Sequence, residues 1–91
     1  VAPALLPYAQ LCDAPAELAG SSHQDFLVDA VDGRSAPGEG GLPLERLLAC
    51  LPADLPLSLE VRSRHYREMF PDPVERARAV LARTRRFLGG R

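Results

Sequence analysis

The chain has 91 residues, which suffices for one small domain with a modest core. Its 11 basic and 12 acidic residues give a net charge of −1, which argues against a nucleic-acid-binding arm or a basic membrane-binding surface. No apolar run is long enough for a membrane span and no export leader is recognisable, so a composition that is 46% apolar and 25% charged predicts a globular, cytoplasmic protein.

The two cysteines, Cys12 and Cys50, do not form a metal-binding motif, because they are too few and too far apart for a zinc ribbon. Buried free thiols are the expected state of both in a cytoplasmic protein. A single disulfide between them is the alternative.

The first predicted element is a strand over residues 8–12, within a short apolar stretch that is followed by the turn residues Asp13-Ala14-Pro15. The long connection over residues 13–41 contains several glycine and proline breakers, and residues 24–31 have the composition for two helical turns. A connection of this length inside a compact domain is usually functional or disordered.

A helix and a second strand follow this connection. Leucines at positions 44, 47, 48 and 51 have the spacing of one helical face, with Pro43 in the first turn and Pro52 as the stop. Residues 56–62 alternate as in a strand. Leu57, Leu59 and Val61 point to one face, and Ser58, Glu60 and Arg62 point to the other.

The last predicted element is a helix that begins at Asp72-Pro73 and ends at Gly89-Gly90. Its predicted core stripe is Val74, Ala77, Leu81, Thr84 and Leu88. The arginines at positions 76, 83 and 86 lie off this stripe, on a face that we expect to be solvated.

These elements form two strand–helix units, which predicts an α/β fold with parallel strands covered by helices. Two parallel strands with helices on one face neither close a sheet nor bury both of its faces. We therefore expect residues 1–91 to be one part of a larger α/β domain.

Glu60 is the most informative polar residue, because it lies near the C-terminal end of a strand whose opposite face is apolar. A carboxylate inside a covered sheet is costly unless it is paired, protonated or bound to a metal ion. A functional carboxylate at the mouth of a barrel is one interpretation. An edge strand with its polar face in water is the other.

Three further residues are candidates beside Glu60. Gln10 is the corresponding residue of the first strand, and its amide oxygen is either a ligand for a hard cation or a simple hydrogen-bonding group. Arg34 precedes a glycine-rich turn and a helix, where a guanidinium group can clamp an oxyanion or a hydroxyl. Arg62 follows the second strand and either reaches a phosphate or is solvated or paired.

Three segments together resemble the sugar phosphate isomerase/epimerase superfamily, whose members are xylose isomerase-like TIM barrels. The segments are Tyr8-Ala-Gln-Leu-Cys-Asp13, Arg34-Ser-Ala-Pro-Gly-Glu-Gly40 and Leu57-Ser-Leu-Glu-Val61. The resemblance covers essentially the whole chain, as the seventh and eighth βα units of the barrel. It implies that residues 1–91 are the C-terminal part of a single barrel domain, with the remainder of the barrel missing.

The resemblance implies a divalent metal ion (Mn²⁺, Mg²⁺, Co²⁺ or Zn²⁺) held by four side chains from different strands. Glu60 matches the ligand on the eighth strand, which also acts as acid and base. Gln10 stands where most members carry a histidine, and the 3-dehydroshikimate dehydratase branch resembles this chain in using glutamine there. Arg34 matches a substrate-contacting arginine of the epimerases. The two remaining ligands, a Glu and an Asp, belong to strands upstream.

The implied function is isomerisation or epimerisation of a sugar or sugar phosphate through an enediolate, with Arg34 and Arg62 as substrate-binding residues. Because half of the metal ligands belong to other strands, we expect the 91-residue chain alone to be inactive. A lyase similar to the dehydratase branch and a non-catalytic α/β interaction module are the alternatives.

Overall fold

The computed structural model describes residues 5–17 and 20–89, and this part of the chain forms two strands and four helices. In chain order they are β1 (Ala9–Leu11), α1 (His23–Asp32), α2 (Leu44–Ala49), β2 (Leu57–Leu59), α3 (Arg64–Met69) and α4 (Pro73–Leu88). None of the described helices is long and apolar enough to cross a membrane.

The two strands pair in parallel, as the sequence predicts, with Gln10 opposite Ser58. The Glu60 N–H extends this pairing beyond β2, because it donates a hydrogen bond to the carbonyl oxygen of Leu11 at 3.3 Å. Side chains alternate along a strand, so Gln10 and Glu60 share one face of the sheet. Both are exposed, and this face carries the polar residues.

Two apolar clusters cover the other face of the sheet. The first contains Leu11, Leu44 and Leu48, and the second contains Ala36, Tyr66 and Val80. Leu59 of β2 packs against both clusters, so this strand connects the part of the core under α2 with the part under α3 and α4.

The start of α4 lies where the sequence predicts. The Asp72 side chain accepts a hydrogen bond from the Glu75 N–H at 3.3 Å, and Pro73 occupies the first turn. Gly89 follows the last turn, and the predicted stop at Gly90 lies outside the described residues.

The predicted core stripe of α4 is wrong at three of its five positions, because Val74, Ala77 and Leu81 are exposed. Val80 and Thr84 are the buried residues of the helix, whereas Val74 is 57% exposed and Leu81 is 39% exposed. The helix is turned so that Val80 meets Tyr66 of α3 and the second apolar cluster. Helical spacing in the sequence allows several faces of α4 to be the buried one. Contacts with neighbouring elements decide which face is buried.

Helix α3 lies between the second predicted strand and the last predicted helix, where the sequence predicts no helix. Its six residues carry no apolar repeat. Ser63 caps the start of the helix, because its hydroxyl oxygen accepts a hydrogen bond from the Tyr66 N–H at 3.1 Å. Tyr66 is the buried residue of the helix. The features that mark this helix are therefore one N-cap and one buried aromatic side chain.

Helix α2 buries less of its predicted face than expected. Leu44 and Leu48 are buried, but Leu47 is 53% exposed.

The expectation of two buried thiols is wrong as well. Both cysteines are free, Cys12 is half-buried, and Cys50 at the end of α2 is exposed.

Candidate functional site

A cleft of about 330 Å³ lies at the C-terminal ends of the two strands, on the polar face of the sheet. We call it the strand-end cleft. It is lined by Gln10, Leu11, Cys12, Ala30, Arg34, Glu60 and Arg62. All four site residues predicted from the sequence therefore line a single cleft, although they come from positions up to 52 residues apart in the chain.

The backbone around Arg34 lies across the ends of both strands. Asp13 and Ser35 exchange two N–H···O hydrogen bonds of 2.8 Å on one side. On the other side, the Arg34 N–H donates to the carbonyl oxygen of Arg62 at 3.0 Å. These backbone hydrogen bonds place Arg34 in the cleft. They could not be predicted from the sequence, because they join three segments that are distant along the chain.

The Arg34 guanidinium group is held by α1. Its Nη1 lies 3.3 Å from Oδ2 of Asp29, and the two side chains are 33% and 18% exposed. The ion pair fixes the direction of Arg34 and balances its charge within the chain.

Arg62 is held by a weaker contact. Its Nε donates to the carbonyl oxygen of Val31, at the C-terminal end of α1, over a long 3.5 Å. Its two Nη nitrogens have no hydrogen-bond or ion-pair partner in the described part of the chain. The Nε of Arg62 is therefore held by α1, whereas its two Nη nitrogens are available for a ligand.

Gln10 and Glu60 make no side-chain hydrogen bond or ion pair with residues 5–17 or 20–89. Both side chains are exposed. The Glu60 carboxylate therefore carries no desolvation cost in this chain, and the interpretation of a carboxylate inside a covered sheet does not apply to it. Their amide and carboxylate oxygens lie on the same face of neighbouring strands and are open to a ligand.

Asp13 is a residue that sequence reasoning passed over. Its side chain is buried, with 1% of its surface exposed, and its two carboxylate oxygens accept four backbone hydrogen bonds. The donors are the N–H groups of Ala14, Gly38, Gly40 and Leu42, at 2.8–3.1 Å. Asp13 thus fastens the glycine-rich turn to the end of β1, beside the cleft.

The turn itself needs glycine at two positions. Gly38 has a φ of +89°, a backbone conformation that favours glycine. A Cβ atom at Gly40 would overlap the carboxylate of Asp13 and the carbonyl oxygen of Ala14. In the sequence, this arrangement shows only as an aspartate at a strand end and a Gly-x-Gly turn 25 residues later. Nothing in the sequence links the two, so this signal is weak.

Glu39, the charged residue of the turn, connects it to α3 and α4. Its carboxylate accepts a hydrogen bond from the Tyr66 hydroxyl and lies 3.7 Å from Nε of Arg83. Burial, followed by the hydrogen bond to Glu39 and the charge of that residue, raises the pKa of Tyr66 to about 12. The hydroxyl therefore stays protonated and remains a donor at neutral pH.

A second group of charges fastens α1 to α3 outside the cleft. Asp32 accepts from Arg67 at 2.7 Å and from Arg64 at 3.2 Å. These two hydrogen bonds, the one from Arg67 first, lower the pKa of Asp32 below its usual value. Arg64 is thus paired and does not line the cleft.

No three acidic, histidine or cysteine side chains lie together as a metal-binding group in the described part of the chain. Gln10 and Glu60 offer two oxygen donors on one face, which fits part of a hard-cation site and leaves it incomplete.

Comparison with protein-family models, with curated proteins and with solved structures found no match.

Proposed function

We propose that this chain supplies the last two strand–helix units of a xylose isomerase-like barrel, and that the strand-end cleft belongs to the active site of a metal-dependent sugar or sugar phosphate isomerase or epimerase. The convergence of Gln10, Arg34, Glu60 and Arg62 on one cleft is the observation that supports this most. The cleft lies at the C-terminal ends of parallel strands, which is the edge where barrels and open α/β sheets bind their ligands.

In this proposal, Gln10 and Glu60 are two of the metal ligands, and upstream strands supply the others. When bound, the divalent ion supplies a Lewis acid that stabilises charge on the substrate oxygens. Glu60 also transfers a proton at its carboxylate oxygen, next to the substrate carbonyl. Arg34, directed by its ion pair with Asp29, donates hydrogen bonds to a substrate hydroxyl.

A lyase is the second candidate, and Gln10 is the residue that favours it, because the dehydratase branch resembles this chain in carrying glutamine at that position. The same proton transfer by Glu60 would then be followed by loss of a hydroxyl group as water. Analysis of the product distinguishes the two reactions, since only the lyase forms a product lighter by one water molecule.

The experiment that tests the metal proposal is a titration of the ¹⁵N-labelled chain with Mn²⁺, followed by NMR. Mn²⁺ is paramagnetic and broadens the signals of nuclei close to it. We expect selective broadening of the Gln10 side-chain amide and the Glu60 backbone amide, at roughly millimolar Mn²⁺ because only two ligands are present.

Glu60→Gln should abolish this broadening, since Glu60 is the one carboxylate among the described residues that line the cleft. Glu68→Gln is the matched control, because Glu68 is exposed on α3 and does not line the cleft. Broadening that is absent, or that survives in Glu60→Gln, would contradict the metalloenzyme proposal and leave the interaction module in its place.

A further inference from the structure

A second cavity, of about 320 Å³, lies between α3 and α4, and we call it the interhelical pocket. Its volume is at the lower end of the range for small-molecule sites. No described residue lines both this pocket and the strand-end cleft, so the two are separate candidate sites. One wall contains Tyr66, Met69 and Phe70, and the other contains Ala79, Ala82 and Arg86.

The wall formed by α4 combines free space with positive charge. Positions 79, 82, 83 and 86 are three or four residues apart and therefore lie on one face of the helix. Ala79 and Ala82 have small side chains and leave room beside the helix. Arg83 and Arg86 place their charges about one turn further on, which is roughly 5 Å along the helix axis.

The opposite wall is apolar and partly aromatic. The rings of Tyr66 and Phe70 are stacked, with their centroids 6.1 Å apart, and Met69 is 56% exposed. Both an aromatic ring and a thioether sulfur make favourable contacts with a further aromatic ring. This wall therefore suits a flat aromatic group.

The charges that face the pocket are unequally compensated. The Glu39 carboxylate already accepts a hydrogen bond from the Tyr66 hydroxyl and lies 3.7 Å from Nε of Arg83. His65 contacts the edge of the Tyr66 ring and brings no negative charge. Arg86 makes no hydrogen bond or ion pair within residues 5–17 and 20–89. Its guanidinium group is therefore available to a carboxylate, which it can bind with two parallel hydrogen bonds.

We propose that the interhelical pocket binds a small aromatic carboxylate, with the ring between the α4 alanines and the Met69–Phe70 wall and the carboxylate on Arg86. A ring that carries a carboxylate is about as long as one helical turn, so it reaches from the space beside Ala82 to Arg86. This site goes beyond the proposed function and does not depend on it.

The test uses the protein labelled with ¹³C in the methyl group of Met69, the one methionine of the chain. Its methyl signal is followed by NMR during a titration with benzoate. A bound ring shifts the signal of a nearby methyl group, so we expect a saturable shift with a dissociation constant of roughly millimolar. Acetate lacks the ring and benzyl alcohol lacks the charge. Each should bind at least about tenfold more weakly than benzoate.

Arg86→Gln should weaken benzoate binding about tenfold, because it removes the charge that pairs with the carboxylate. Arg85→Gln is the matched control and should leave binding unchanged. Arg85 is exposed in the same last turn of α4 and does not line the pocket. Ala82→Leu should abolish binding for a different reason, since it fills the space for the ring at an exposed position and changes no charge.

Three results would overturn the inference: no saturable shift with benzoate, benzoate binding that survives in Arg86→Gln, or equal binding of benzoate and benzyl alcohol. Acetate that binds as tightly as benzoate would overturn it too, because the ring would then contribute nothing. The Mn²⁺ titration follows signals of the strand-end cleft, so either proposal can fail while the other stands.

Discussion

Asp13 joins the end of β1 to the glycine-rich turn beside the candidate site. A buried carboxylate is tolerated only where its oxygens are satisfied, and here four backbone N–H groups satisfy them. Three of these donors belong to the glycine-rich turn, and the Asp13 backbone pairs with Ser35 beside Arg34. The position of Arg34 in the cleft thus depends on a residue that does not touch the cleft itself.

Asp13→Ala should lower the free energy of unfolding by about 3–5 kcal/mol, because it leaves several partly buried N–H groups without an acceptor. Asp13→Asn should cost less, since its carbonyl oxygen still accepts two of the four hydrogen bonds. Urea unfolding followed by circular dichroism measures both. Asp54→Ala, at an exposed position before β2, should change stability by less than about 0.5 kcal/mol. Equal losses for Asp13→Ala and Asp54→Ala would contradict the role of Asp13.

Gln10, Arg34, Glu60 and Arg62 could be named from the sequence, whereas Asp13, the residue that helps to position Arg34, could not. Alternation along two short strands is enough to place Gln10 and Glu60 on one face, because that pattern is local. The partners of Asp13 lie 25–29 residues further along the chain, and no local pattern specifies which backbone donors will reach it.

At the scale of elements, α4 shows how packing selects one helical face among several. Val74 and Val80 are both valines of the same helix, but Val74 is 57% exposed and Val80 is 8% exposed. Val80 lies in the apolar cluster with Tyr66, and Val74 lies in the first turn, away from that cluster. A periodic pattern in the sequence therefore identifies the helix without fixing its rotation about its own axis.

Val80→Ala should destabilise the chain by about 2 kcal/mol, through lost apolar burial and the cavity that remains. Val74→Ala is the matched control, with an expected change of less than about 0.5 kcal/mol. The comparison is made by thermal or urea unfolding under identical conditions. A larger loss for Val74→Ala would restore the stripe predicted from the sequence and contradict the observed packing.

Helix α3 was missed for a different physical reason. Periodicity arguments need several turns, and a six-residue helix offers fewer than two. Its signals are a serine cap and one buried aromatic residue, both of which also occur in ordinary loops. The length of α4, with its proline and aspartate at the start, made that helix predictable in position and extent.

At the scale of the whole molecule, the described chain presents apolar surface that it does not cover. A groove of about 480 Å³ runs between β2 and α4, lined mainly by apolar side chains such as Leu59, Val61 and Leu81. Helix α1 buries none of its residues, and Phe26 and Val31 on it are 50% and 44% exposed. In a complete barrel of the proposed kind, neighbouring units would cover the groove, because helices and strands there pack against partners on both sides.

The chain alone should therefore self-associate as its concentration rises. Exposed apolar surface and unpaired strand edges favour contacts between copies, since association removes both from water. Sedimentation velocity over a wide concentration range should show an increasing mean mass, and Leu81→Gln, in the groove, should reduce it. Met69→Gln removes a side chain of similar size from an exposed position on α3, outside the groove, and should have a smaller effect. The contrary result is a chain that stays monomeric at every concentration and unfolds in one cooperative, concentration-independent step. It would contradict the proposal that the chain is part of a barrel, because a domain with these properties needs no neighbouring units to cover its surfaces.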